Sequence, residues 1–225
     1  MFDNMSETPI LQANNIHKAY GDIEVLKGID IYVNKGEMIS VVGASGAGKS
    51  TLLHILGSLD KPDSGDLSIN GSNINGLSRN KLAAFRNSEI GFVFQFHNLL
   101  PEFTAMENVC IPGYIGRRKQ SEVEAKAREL LVLLGLEERM THKPSQLSGG
   151  EQQRAAVARA LVNEPKIVFA DEPSGNLDSH NAEELHQLFF DLREKLNLSF
   201  VIVTHNPSLA DMADRKLTIE DGKIL

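Results

Sequence analysis

One eight-residue run limits the folds open to this chain more than any other. Gly43-Ala44-Ser45-Gly46-Ala47-Gly48-Lys49-Ser50 has the glycines, lysine and hydroxyl of a phosphate-binding loop at their required spacing. It follows the apolar run Met38-Ile39-Ser40-Val41-Val42 and opens a helical segment expected from Lys49 to about Leu59. Glycines let the backbone curl so that successive N–H groups point at phosphate oxygens, and the helix start adds its positive dipole end. Lys49 is expected to reach β- and γ-phosphates, and the Ser50 hydroxyl to ligate Mg²⁺. Gly43 to Ser50, with Thr51, form the expected phosphate-contact set. A chance match in a chain of this length has a probability on the order of one in a hundred. A glycine turn with no ligand would leave Lys49 unexplained.

Around this loop the pattern reads as α/β. Residues 10 to 42 are expected to form strands, with alternation in Ile29-Asp30-Ile31-Tyr32-Val33. Ser121 and Glu124 have the spacing of a capping box, followed by Val123, Ala127, Leu130, Leu131 and Leu134 on one helical face and Gly135 as the stop. From Gly149 onward the order is helix, buried strand (167 to 170), helix, buried strand (200 to 204). Strands alternating with helices in this way imply a largely parallel sheet covered on both faces, with a helical insertion near the middle.

The strand Ile167-Val168-Phe169-Ala170 ends in two carboxylates, Asp171 and Glu172. Alone, such a pair could be a helix cap and a solvated side chain. Beside a phosphate loop the stronger reading is the Walker B pattern, with Asp171 holding Mg²⁺ and Glu172 acting as general base on the attacking water.

Bulk properties exclude several classes. The net charge of −7 argues against nucleic-acid binding and against unaided adhesion to an anionic leaflet. The longest strongly apolar stretch, Leu130 to Leu136, is too short to span a bilayer. One cysteine, Cys110, allows no internal disulfide, and a cytoplasmic compartment fits.

The segment Leu147-Ser148-Gly149-Gly150-Glu151-Gln152-Gln153-Arg154 carries more than a helix start. Ser148 and Glu151 form a second capping box, yet a cap does not require two glycines after it. This run resembles the signature of the ABC family, and from it the resemblance extends over essentially the whole chain. It implies a P-loop ABC cassette: a mostly parallel core sheet, an N-terminal antiparallel β part, and a helical subdomain of about residues 95–147. The cassette would be a single domain over 9–225, with 1–8 as a tail. In that family two cassettes pack head to tail around ATP, so Ser148, Gly149 and Gly150 would face the partner's nucleotide. Glu151 stands where the family more often has glutamine.

The same resemblance implies further roles. Tyr20 matches the aromatic residue that stacks on adenine. Gln95 matches the glutamine that touches the metal and the attacking water. Asp178 closes a segment, Gly175-Asn176-Leu177-Asp178, that looks like the loop crossing the dimer interface. His205 matches the histidine that hydrogen-bonds the γ-phosphate, followed by Asn206 where aspartate is more usual.

Within the family, the run from Gly91 to Val109, with Gln95-Phe96-His97, Leu99-Leu100-Pro101 and Phe103-Thr104-Ala105, resembles ATPases of lipoprotein-releasing systems. Macrolide-export and cell-division ATPases share much of it. The chain ends soon after the last expected strand, which favours a separate subunit over a cassette fused to a membrane domain. The implied partners are a second cassette and two integral membrane subunits, at the cytoplasmic side of an inner membrane. Phe96, Leu99, Leu100 and Phe103 would either dock those subunits or pack the insertion.

Overall fold

The computed structural model describes residues 8–225; of the expected tail, residues 1–7 lie outside the described residues. The chain opens with β1 (Leu11–Tyr20) and β2 (Ile23–Val33), an antiparallel hairpin, followed by β3 (Met38–Val42) and α1 (Lys49–Leu56). β4 (Ser64–Ile69), β5 (Ser72–Asn73), α2 (Arg79–Glu89) and β6 (Ile90–Phe94) come next. Then come α3 (Ala105–Ile115), α4 (Gln120–Leu133), α5 (Gly149–Leu161) and β7 (Ile167–Asp171). The chain closes with α6 (Ser179–Leu196), β8 (Ser199–Val203), α7 (Pro207–Met212), β9 (Arg215–Glu220) and β10 (Lys223–Ile224).

Two sheets result. The antiparallel one has the order β2-β1-β4-β5, and the larger one the order β10-β9-β3-β8-β7-β6. In the larger sheet β9, β3, β8, β7 and β6 are parallel, and β10 is antiparallel to β9. Side chains alternate across its strands. Ile39, Val41, Ile167, Phe169, Val201 and Val203 face a core shared with α1 and the antiparallel sheet. Met38, Val168, Ala170, Phe200 and Ile202 face a second core shared with α3, α4, α5 and α6. Both faces are therefore buried, as a parallel sheet requires.

Local expectations met three departures. Helix α1 stops at Leu56, not Leu59, because Gly57 closes against the Phe92 ring, where no Cβ fits, and leaves Leu59 exposed. The expected Ser121–Glu124 capping box is absent. Helix α4 starts at Gln120, with Lys119 as N-cap, so Ser121 already lies inside the first turn. Glu124 instead accepts from Gln120 Nε2 at 2.7 Å and Tyr114 Oη at 3.2 Å. Its apolar face is as expected: Val123, Ala127, Leu130 and Leu131 are buried, and Gly135 turns the chain at φ +70°. Helix α2, unmarked by periodicity, has no fully buried residue and rests on the core through partly buried Leu82 and Phe85.

The apolar run after β6 divides. Phe96, Leu100 and Phe103 are exposed, while Leu99 packs on the core. Asn108 on α3 shapes this run from beneath. Fully buried, it accepts from Leu100 N at 2.8 Å and donates to the carbonyls of Leu100, Phe103 and Thr104 at 3.0 to 3.1 Å. Asn108→Ala strands those backbone groups, so an urea melt should show a loss of about 2 kcal/mol. A loss below about 0.5 kcal/mol would contradict this anchoring role.

Candidate functional site

The carboxyl edge of the large sheet brings together residues far apart in the sequence. In register, Phe94, Asp171 and Val203 are neighbours, and Val203 pairs with Val41 of β3. The residues that follow these strand ends therefore share one edge: Gln95, Glu172, the Thr204–His205 pair, and the loop beginning at Gly43.

That loop runs from Gly43 to Gly48 between β3 and α1. Gly43 has φ +155°, and a Cβ there would strike the Ile219 carbonyl oxygen. Gly48 caps α1 in the left-handed region at φ +103°, with no side-chain cap. The first-turn N–H groups of α1 lack intrahelical partners, so the helix begins with donors free for an anion. Lys49 Nζ arches back and donates to the carbonyls of Gly43 at 2.9 Å and Ala44 at 2.8 Å. Its ammonium thus lies over the loop.

Ser50 Oγ donates to Asp171 Oδ1 at 3.2 Å. Burial raises the Asp171 pKa, and the nearest basic group apart from the loop is His54, whose Nε2 is 3.9 Å from Oδ2. A half-buried carboxylate with incomplete charge compensation, beside a hydroxyl, is an oxygen donor set suited to a hard divalent cation. Such ions are held by one or two carboxylates plus substrate phosphates rather than by protein cages.

Glu172 stands beside this pair in a left-handed conformation, φ +46°. Its N–H donates to Val203 O at 2.9 Å, and its carbonyl accepts from Gly175 N at 3.0 Å, closing a turn. Its Oε2 accepts from His205 N at 3.1 Å and meets His205 Nδ1 at 2.8 Å. One carboxylate oxygen is thus fixed by His205, which is itself mostly exposed.

Tyr20 is half-exposed at the end of β1, its hydroxyl donating to Asp60 Oδ2 at 2.7 Å. Lys18 lies 5.2 Å from the ring centroid and donates to Asp60 as well, so the ring is held by a charge pair invisible to motif reading. Gln95 turns the other way. Its Nε2 donates to Asn176 Oδ1 at 3.1 Å while Asn176 Nδ2 donates to the Gln95 carbonyl at 3.1 Å. In this state its amide engages the segment after Glu172, not the Ser50–Asp171 pair.

Ser148 caps α5. It accepts from Glu151 N at 3.3 Å, and Glu151 Oε2 accepts from Ser148 N at 2.7 Å, completing the expected box. The backbone bond from Ser148, with Arg139 Nε on Oε1 at 2.8 Å, holds Glu151 below the usual carboxylate range. An ion pair thus accounts for glutamate at that position. Gly150 leaves room for Asn181, which its own Cβ would overlap. Asp178 caps α6 through Asn181 N at 3.0 Å. Among the described residues, no hydrogen bond joins Ser148, Gly149, Gly150 or Asp178 to residues 43–51.

Two residues that motif reading passed over lie beneath the site. Gln153, fully buried on α5, donates to Pro173 O at 2.7 Å, and His186, buried on α6, meets Ser174 Oγ at 3.0 Å. The available signal for Gln153 was a polar residue on the apolar side of α5, one turn before Val157. Among the described residues, no helix is long and apolar enough to cross a membrane.

The family described as ABC transporter matches residues 26–175. The lipoprotein-releasing system ATP-binding protein LolD of Cytophaga hutchinsonii is 64% identical over 96% of this chain and 99% of its own length. That of Bacteroides fragilis is 55% identical over 96% of this chain and its whole length. Among solved structures, a dimeric ATP-binding cassette in a post-hydrolysis state, bound to ADP and Pi, superposes with a TM-score of 0.87. It is 40% identical, with 95% of this chain and 96% of that one covered.

Proposed function

The chain belongs to the ABC transporter family and is an ATPase of it, and we propose from that premise that it drives a lipoprotein-releasing complex. The observation that carries the reading is near-full-length similarity to LolD proteins, combined with a strand-end carboxylate poised beside a phosphate loop.

In the proposed mechanism ATP lies with its phosphates over residues 43–51 and its adenine against Tyr20. Lys49 exchanges the Gly43 and Ala44 carbonyls for β- and γ-phosphate oxygens, and the first-turn N–H groups of α1 take the remaining charge. Ser50 and Asp171 would hold Mg²⁺, which when bound offsets charge on the transferred phosphoryl group. Glu172 accepts a proton from the attacking water as the new bond to the γ-phosphorus forms and the bond to the ADP oxygen breaks. His205 steadies the Glu172 carboxylate through its backbone N–H, and its exposed ring would turn to donate to a γ-phosphate oxygen. Gln95, now bonded to Asn176, would be the further residue able to help hold the metal and orient the water.

Ser148, Gly149 and Gly150 at the start of α5 and Asp178 at the start of α6 would serve the nucleotide of a second copy. The start of α5, where a neutral Ser148 cap leaves the Gly149 and Gly150 N–H groups without intrahelical partners, complements phosphate charge, and the dimeric state of the similar solved cassette supports that use. One membrane subunit would dock on each cassette, in the groove of about 500 Å³ between α2, β6 and α3, lined by Arg86, Phe92 and Ile115. Phe96, Leu100 and Phe103, exposed in the segment after β6, would add apolar surface for the same partners. The protein would then sit at the cytoplasmic side of the inner membrane, held there by those subunits.

Depletion in the native cell tests the assignment. Lipoproteins should accumulate in the inner membrane while cell length stays normal. Filamentation with lipoproteins correctly sorted would instead assign the chain to division.

A further inference from the structure

The turn that carries Glu172 is gripped from below by two buried polar side chains, one from each helix that begins at a surface-facing cap. Gln153 lies on α5, five residues after the Ser148 cap, and is wholly removed from solvent. Its Nε2 donates to the Pro173 carbonyl at 2.7 Å and lies 3.4 Å from the Phe94 carbonyl, the last of β6 before Gln95. His186 lies on α6, eight residues after the Asp178 cap, and is 3% exposed. Its Nε2 is 3.0 Å from Ser174 Oγ.

The chemistry of this pair is constrained by what it lacks. Neither Gln153 Oε1 nor His186 Nδ1 has a hydrogen-bond partner among the described residues. A bare acceptor is cheaper to bury than an unpaired N–H, so the His186 ring carries its proton on Nε2 and donates it to Ser174. Burial also lowers the His186 pKa, which keeps the ring neutral. Buried polar groups only partly satisfied are costly in a core, and the shortest bond of Gln153 and the one bond of His186 go to consecutive residues, Pro173 and Ser174. Between those residues and the strand, Glu172 holds a left-handed φ of +46°, a conformation that persists only where its surroundings impose it.

We propose that Gln153 and His186 are positioning residues for hydrolysis, fixing the Pro173–Ser174 turn so that the Glu172 carboxylate meets the attacking water. Neither touches nucleotide. Because each sits on a helix whose first turn would face the second copy, the grip also ties the placement of the base to those helix starts. The inference rests on Glu172 as the base.

The test is steady-state hydrolysis by the purified full chain, with ATP affinity measured on the same preparations. Gln153→Met and His186→Leu should each lower kcat about tenfold while KM and ATP affinity stay within about threefold, since displacement of a reacting group by a fraction of an ångström is felt in the rate. His186→Gln, whose Nε2 can replace the ring nitrogen on Ser174, should return kcat to within about threefold of the parent. The proposal is overturned if both single variants keep kcat within about threefold, or if the loss matches the loss of ATP-binding chains. It is likewise overturned if His186→Gln is as slow as His186→Leu. Glu172→Gln in the same series separates the premises: parent-like turnover in that variant removes the base itself, whatever the other variants do.

Discussion

Glu172→Gln should bind MgATP as the parent chain does and hydrolyse it at least about a hundredfold more slowly. The substitution keeps the shape of the side chain, and glutamine can still accept from His205 N, the 3.1 Å bond that orients it. What it loses is the carboxylate's ability to take a proton from water. Phosphate contacts on the loop are untouched, so affinity by nucleotide fluorescence should change little while phosphate release nearly stops. Parent-like phosphate release would remove Glu172 from the mechanism.

Lys49→Ala should act on the opposite quantity. An ammonium bonded to phosphate oxygens in a half-enclosed loop contributes about 1.5 to 3 kcal/mol, so ATP affinity should fall roughly 10- to 100-fold. Turnover should fall with it, because the same charge is needed on the γ-phosphate as it departs. Stability should barely move: the carbonyls of Gly43 and Ala44 that Lys49 now occupies lie at an open loop and can bond water. Calorimetric titration with ATP and a thermal melt of the same sample check both halves. Parent-like affinity would contradict the placement of Lys49.

These two residues were legible in the sequence because their chemistry is local. A strand, a glycine turn and a helix start follow one another in ten residues, and the spacing alone sets the geometry around Lys49. Glu172 was legible for the same reason, as the residue after a buried strand. The Ser148–Glu151 box is local too, and the structure contains it. The Ser121–Glu124 pair had the same spacing and failed, because one more residue of helix before Ser121 moved it past the capping position.

Long-range contacts were beyond reach. Nothing in the spacing shows that Asn176 holds Gln95, that Asp60 holds Tyr20, or that Arg139 pairs with Glu151. Gln153 and His186 read as ordinary helix residues until the turn they grip is seen. Helix α2 left little trace in the pattern because only Leu82 and Phe85 pack on the core and neither is fully buried, so no continuous apolar stripe is needed. Even the exposed apolar run divided on a tertiary contact: Leu99 turns inward and its neighbours stay out, over a loop fixed by Asn108.

If the site is complete only when two copies close on ATP, the mass of the Glu172→Gln chain in solution must report it. With hydrolysis blocked, MgATP should shift the purified protein from the mass of one chain to that of two, and ADP should leave it as one. Ser148→Arg, which fills the start of α5 that would meet the partner's phosphates, should abolish the shift while ATP still binds. A Glu172→Gln protein that binds MgATP and keeps the mass of a single chain would contradict the account.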